Sequence, residues 1–426
     1  MNTHPGGEQR RPHEEQLLEA IRRIAVIDAH SHLLPEPQHV AQHRDALTVY
    51  GQYTRLPMFA SGLSEEDWLR IHDPAIPLEE RWALAKPYIF LVRHTSFARA
   101  ARQVLKHFWN VEELADHNIH ELSQRIAAEN RPGIYERVLR KECNIVHVLN
   151  QNSPPPDDRR ELDVYQDQQL LQPVVALIDP RPQNLDVNRM GGNDGFLSLD
   201  GYLDWARHRL RALAEKGAVG FKTFALDYGD PDRDRALADF SDLKRRQAGL
   251  AYDMPTPLLS YIHDELLKAA AAFELVVAVH TEFWGVHRHH PRYMMPILER
   301  HPNIRFDLFH SGIPYVREMG LIGVNFRNVT VNLCWAHSIN AAMTCSALDE
   351  YLDTLGSDKV IAFGSDLRWM VEKVYGHLEL ARQNIASVLA SRIDRGLMNF
   401  EEALRLAKEW LFDNPARLYK LPVVLD

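Results

Sequence analysis

Eight short apolar runs, mostly separated by stretches of helical periodicity, predict an α/β fold: a (β/α)8 TIM barrel of parallel strands. Two further observations point the same way. Five of the runs end in metal-competent or ionisable residues, where a barrel builds its site. The first run leads into Ser31-His32-Leu33-Leu34-Pro35, which lacks the Gly-rich phosphate turn of an open doubly wound sheet.

Composition bounds the answer. A chain of 426 residues with 45% hydrophobic and 25% charged residues suits one elaborated soluble barrel with a sizeable core. A net charge of -9 argues against nucleic acid as a partner. Cys143, Cys334 and Cys345 have neither zinc-finger nor disulfide spacing and read as reduced thiols of a cytoplasmic protein. Met1 to Gln16 is polar, without the apolar core of a secretion signal, and no run is long enough to span a membrane.

In chain order, residues 1–13 read as a flexible tail and residues 14–426 as one barrel unit. Glu14 to Arg23 has helical spacing. The first strand, from Ile24, ends in His30-Ser31-His32. Alternate residues of an extended chain share a face, so both imidazoles aim at one point and can chelate a divalent ion. From about residue 35 to 141 the apolar spacing is helical, as in Trp82-Ala83-Leu84-Ala85 and Ile119, Leu122, Ile126; this is a helical insertion over one end of the fold.

Strands then follow at Asn144 to Leu149, Pro173 to Ile178, Ala218 to Phe224, Leu275 to His280, Ile304 to His310, Val329 to Leu333 and Val360 to Asp366. Helices are expected at Tyr202 to Lys216 (closed by Gly217), Pro257 to Phe273, Pro291 to Arg300, Val316 to Phe326 and Ala347 to Leu355. The link between the second and third strands is Pro-rich, leaving only Glu161 to Leu171 for a helix. From Met370 to Leu411 the tail is helical.

The strand ends carry His30, His32, Lys222, His280, His310 and Asp366. Each has a bland reading: His280 and His310 as capping histidines, Asp366 as a helix N-cap. Lys222 lies inside an apolar strand, where an unpaired ammonium is costly, so it needs a carboxylate partner or a chemical change. The joint pattern is more specific than any one residue. His287, His289 and His290 follow strand five and read as solvated or substrate-side groups.

These residues resemble the metal site of the amidohydrolase superfamily, and the resemblance runs from Ile24 to about Tyr419 apart from the insertion. Asn414-Pro415-Ala416-Arg417-Leu418 also looks like that family's closing helix. The chain is most similar to the amidohydrolase 2 branch, which holds uronate-isomerase-like and decarboxylase-like members beside hydrolases. The resemblance implies that His30, His32 and Asp366 hold an inner metal. It implies that a carboxylated Lys222 bridges to a second ion on His280 and His310. Members with one ion keep the equivalents of His30, His32, His280 and Asp366, while the strand-six histidine assists the substrate.

The expected activity is hydrolysis of an amide, lactone or ester of a small substrate by metal-activated water, with Asp366 as proton acceptor and His310 or the metal polarising the carbonyl. Zinc is the first expectation, as one ion or two; Mn, Fe or Ni also suit nitrogen and oxygen donors. Isomerase or decarboxylase chemistry on the same ligands is one alternative, and a silent metal-binding scaffold another. Arg55, Trp68, Arg93, Arg288, Tyr315, Trp335 and Arg368 are loop residues placed to meet a small, carboxylate-bearing substrate, Trp335 best of them. A homo-oligomer is expected by analogy with other barrels.

Overall fold

The computed structural model describes residues 12–151, 170–175, 198–246, 255–283 and 285–423. Eight parallel strands pair in chain order, β1 to β8. They are β1 Val26–Ser31, β2 Ile145–Asn150, β3 Leu171–Val175, β4 Gly220–Phe224, β5 Val276–His280, β6 Phe306–Phe309, β7 Val329–Asn332 and β8 Val360–Ile361. The eighth strand is shorter than the expected Val360 to Asp366. Beyond Ile361 the chain leaves the regular ladder, and Asp366 turns it with φ +54°. That segment still closes the barrel. Ala29 N–H donates to Phe363 O at 3.3 Å, Asp366 N–H to His30 O at 2.8 Å, and His32 N–H to Leu367 O at 2.9 Å.

Local chemistry sets the outer helices. Ser198 caps Leu199–Glu215 by accepting from Gly201 N–H, and Asn340 caps Ala341–Thr354 by accepting from Met343 N–H. Thr256 does the same for Pro257–Ala272, whose leading proline has no N–H to leave unpaired. Gly217 adopts φ +101°, the left-handed ending anticipated for it. The helix Arg233–Arg246 was not anticipated. Its buried stripe is only Ala236, Phe240 and Leu243, set among charged residues. The first helix starts at Pro12, so residues 12 and 13 belong to it. The connection proposed at Glu161 to Leu171 lies outside the described residues as far as 169, as do residues 176–178 of the expected third strand.

Between β1 and β2 the chain is helical, including Leu78–Val92, Ser96–Trp109 and Ile119–Glu129. These helices enclose their own core, with Trp68, Trp82, Leu105, Trp109 and Leu122. They dock on the long C-terminal helix Glu372–Asp394 through a backbone-close contact. A Cβ at Gly376 would lie 2.3 Å from Ala100 O and 2.7 Å from Val104 Cγ2. Gly376→Ala is therefore expected to lower stability by about 1–3 kcal/mol, read as a lower thermal unfolding midpoint; an unchanged midpoint would show that the two helices part freely.

The barrel interior is filled by Ile27, Ala29, Val276, Ala278, Phe309 and Ile361 and closed below by Phe412, Ala416 and Tyr419. The register places Lys222 beside Ala278 and Ala278 beside Asp307. Asp307 is fully buried and accepts from Tyr419 Oη at 2.7 Å and Asn332 Nδ2 at 3.0 Å. Burial lifts its carboxyl to about 7, against those two hydrogen bonds. An unfolded Asp titrates near about 3.9. Between these values the folded chain keeps a proton that the unfolded chain has lost, so this group's contribution to stability falls as pH rises. The amide introduced by Asp307→Asn cannot titrate. The unfolding free energy of that variant minus that of the natural chain should rise between about pH 4 and pH 7, by at most about 1.4 kcal/mol per pH unit. A flat or falling difference overturns the assignment.

Candidate metal site

Two departures from regular strand geometry aim the site residues. Ile27 and Ala29 pack inside the barrel, so strict alternation would send His30 outward. The β1–β2 ladder slips between Asp28 and Ser31, and His30 lies within that slip. At the end of β6, Phe309 already faces inward, and His310 follows with φ +63°, which turns its ring inward as well. Trp335, after β7, has φ +62° and Asp366 has φ +54°. Left-handed backbone at non-glycine residues costs roughly 1–3 kcal/mol each and gathers where side-chain aim matters. Gly364 is needed at the seam, since a Cβ there would stand 2.4 Å from Cys334 Cβ and 2.9 Å from His30 N.

These turns bring all six strand-end residues together. His30 Nε2 is 3.5 Å and His32 Nε2 3.2 Å from Asp366 Oδ1. His310 Nε2 is 4.0 Å from Asp366 Oδ2 and 3.0 Å from His280 Nδ1. Lys222 Nζ lies 3.5 Å from His30 Nε2 and 4.0 Å from the centre of the Phe309 ring. One ligand atom from each of His30, His32 and Asp366 falls within 4.8 Å of the other two, and among the described residues this is the one group of three able to hold a metal ion.

The hydrogen bonds assign the tautomers. His32 Nδ1–H donates to Gln151 O at 2.7 Å, which aims Nε2 at Asp366 Oδ1, 3.2 Å away. His310 Nδ1–H donates to Cys334 O at 3.0 Å. Its Nε2 must then accept from His280 Nδ1–H, and the remaining lone pair is on His280 Nε2. That atom is buried with no hydrogen-bond partner, as is His30 Nδ1. A cluster of neutral imidazole lone pairs beside a carboxylate fits a divalent cation.

Burial enforces the neutral rings. It holds His30 far below the ordinary imidazole range, with the Lys222 charge adding to it. His280 is held down by burial and then by His310. Burial takes His310 to about 4, against the pull of Asp366. Burial would raise Asp366, but the hydrogen bond from His32 and the electrostatic pull of the groups around it, His32, His310 and Lys222, outweigh it and keep the carboxylate ionised. Lys222 is brought down to about 8 by burial, with Cys334, Asp366 and Asp307 opposing. Among the described residues no carboxylate lies within ion-pair distance of its Nζ.

The insertion completes the site with residues the sequence did not single out. Tyr53 Oη donates to Asp366 Oδ1 at 3.0 Å, and Gln52 Nε2 donates to Asp366 O at 3.2 Å. Trp335 lines the same space, its ring 4.1 Å from that of Tyr53 and 5.4 Å from that of His310. Tyr315 donates to Val286 O at 2.6 Å and meets His287. Arg288 and Arg55 are exposed. Arg93 stacks on Phe90, and Trp68 belongs to the insertion core. His289 is buried rather than solvated: its Nδ1 bonds Ala225 O at 3.0 Å and its ring packs edge-on against His280. Nothing in the local sequence around Gln52 and Tyr53 marks them, because their contacts depend on how the insertion docks.

The chain superposes on glucuronate isomerase from Caulobacter crescentus with TM-score 0.79 and 18% identity, over 100% of this chain and 98% of that one. It superposes on uronate isomerase from Thermotoga maritima with TM-score 0.76 and 14% identity, over 98% and 100%. Identities this low show a shared barrel fold. Over an alignment of 232 positions the chain is 25% identical to Protein fluG of Emericella nidulans, and the match covers 49% of this chain and only 26% of that protein. The amidohydrolase family model matches residues 201–421, from before β4 through the closing helix. The chain belongs to the amidohydrolase family.

Proposed function

We propose that the protein is a metal-dependent hydrolase acting on a C–N or C–O bond of a small molecule. The observation that carries this reading is the trio His30, His32 and Asp366, gathered within 4.8 Å at the barrel mouth, with the carboxylate held ionised and the His30 ring held neutral by burial. These three residues would hold one divalent ion, with the unpartnered Nε2 of His280 as the next available donor. A bound ion would supply Lewis acidity and lower the pKa of water from 15.7 to about 7.

The chain's own residues then have defined tasks. Asp366 takes the proton from the attacking water and returns it to the leaving group. Tyr53 steadies Asp366 Oδ1 and keeps that carboxylate oriented. Trp335 and Tyr53 form an aromatic wall that excludes bulk water. The lone pair of His310 is taken by His280, so in this tautomer His310 orders the cluster; polarising a carbonyl would require the opposite tautomer. That engagement favours one ion over two. A buried amine near 8 is partly neutral at physiological pH, the form whose nitrogen attacks carbon dioxide and then loses a proton to give the carbamate, so carboxylation of Lys222 stays chemically accessible.

The second reading is isomerisation of a uronate. What favours it is that the likeness to the two uronate isomerases takes in the whole chain, insertion included. A metal assay and a substrate screen separate the two. Purified with zinc or manganese supplied, the chain should carry about one ion and hydrolyse a lactone, ester or amide. Conversion of glucuronate with no hydrolysis overturns the first reading in favour of the second. Asp366→Asn should lower kcat by roughly a hundredfold to ten-thousandfold.

Lys222→Ala should leave the ion count unchanged if one metal is held. A fall from two ions towards none would instead establish the lysine bridge.

A further inference from the structure

A cleft of about 360 Å³ opens between the insertion and the barrel mouth. Its lining includes His43, Arg44, Asp45, His72, Arg81 and Arg368. It is built from the loops that carry the metal-site residues: Leu34, also in its wall, is two residues beyond His32, and Arg368 two beyond Asp366. Its volume suits a small ligand.

The charges of this cleft do not balance internally. Asp45 is consumed: it accepts from Arg81 Nη1 at 2.7 Å, lies 3.0 Å from His43 Nε2, and caps the turn at Ala46–Tyr50 through Leu47 and Thr48 N–H. Arg44 is only 6% exposed, yet its hydrogen bonds go to neutral acceptors, His43 O at 3.2 Å and Gln42 Oε1 at 2.6 Å. Its Nε has no partner, and among the described residues no carboxylate lies within 4.0 Å of its guanidinium. Glu372, the acid that attracts it, is engaged by Arg137 at 3.7 Å. Arg368 donates its backbone N–H to Gln52, while its exposed guanidinium has no partner among the described residues. His72 Nε2 is also buried without a partner.

Most surface arginines are merely solvated. A guanidinium this buried with no carboxylate in ion-pair contact among the described residues is different, because desolvating a charge is costly unless an anion compensates it closely. Two guanidinium groups on one small cleft match the planar fork geometry by which arginine takes a carboxylate or phosphate. We propose that the cleft is an oxyanion-binding site for the carboxylate or phosphate group of a small molecule, distinct from the metal-site residues and independent of any bound metal.

The test is isothermal titration of the full chain with inorganic phosphate and with succinate, each with metal supplied and after chelation. Saturable binding that survives chelation is expected. It should weaken roughly 10- to 100-fold in Arg368→Gln, whose exposed side chain can change without disturbing the fold, and in Arg44→Gln. Tighter phosphate identifies a phosphorylated ligand and tighter succinate a carboxylate; both support the site. Should Arg44→Gln fail to fold, Arg44→Lys keeps the charge, loses the fork and should show an intermediate affinity. The proposal is overturned if neither probe binds, if binding vanishes on chelation, or if the foldable arginine variants bind as tightly as the natural chain.

Discussion

The structure depends on one seam, where β1 meets the segment that follows β8. Barrel closure and the candidate metal site are the same set of contacts there. Backbone N–H groups of Ala29, His32 and Asp366 pair across it. Asp28 adds a buried carboxylate that accepts from Ser365 N–H at 2.8 Å and from Ser365 Oγ at 2.5 Å. Asp366 can approach His30 and His32 only because the chain turns through φ +54° at that residue, and Gly364 lets the segment pass against Cys334 and His30. A left-handed aspartate in a short, irregular strand would be unstable alone. Closure over-determines it, and an ion shared between β1 and the strand-eight segment would add a further cross-link, coupling metal affinity to folding.

The insertion is the second structural commitment. It is anchored to the helix that directly follows the seam, since Gly376 packs against Ala100 O and Lys373 Nζ bonds Gly51 O. The short turn after Gly51 then delivers Gln52 and Tyr53 to Asp366. Movement of the insertion would therefore move the groups that orient the proton-accepting carboxylate. Specificity and catalytic alignment share one mechanical element, and substitutions far from the mouth, in the Trp68 and Trp82 core, would be felt at Asp366.

Much of this was legible in the sequence, for definite reasons. Buried parallel strands are short apolar runs, and barrel sites sit at strand ends, so His30, Lys222, His280 and Asp366 could be placed before any coordinates. Other features were not legible because they are not local. The slip in β1 and the left-handed turns at His310 and Trp335 decide which residues face inward, and no spacing rule reports them. Tyr53, Gln52 and Arg44 acquire meaning only from docking of the insertion. The helix Arg233–Arg246 was hidden by charge, its apolar stripe reduced to three residues.

The histidine tautomers narrow the chemistry further than the residue list does. Cys334 O fixes the proton on His310 Nδ1, and that choice passes through His310 Nε2 to His280, so one backbone carbonyl sets the state of two rings. Two rings hydrogen-bonded to each other cannot both offer both of their nitrogens to a second ion. Placing an ion on His310 would break the 3.0 Å bond to His280 and leave a buried N–H without an acceptor, at a cost of about 1–3 kcal/mol. An ion shared by His30, His32 and Asp366 leaves the His310–His280 bond intact, and the carboxylate is already ionised. Tyr53 Oη already donates to Asp366 Oδ1, and the ammonium of Lys222 competes for His30 Nε2. Its depressed affinity for the proton weakens that competition, and a neutral or carboxylated Lys222 would remove it.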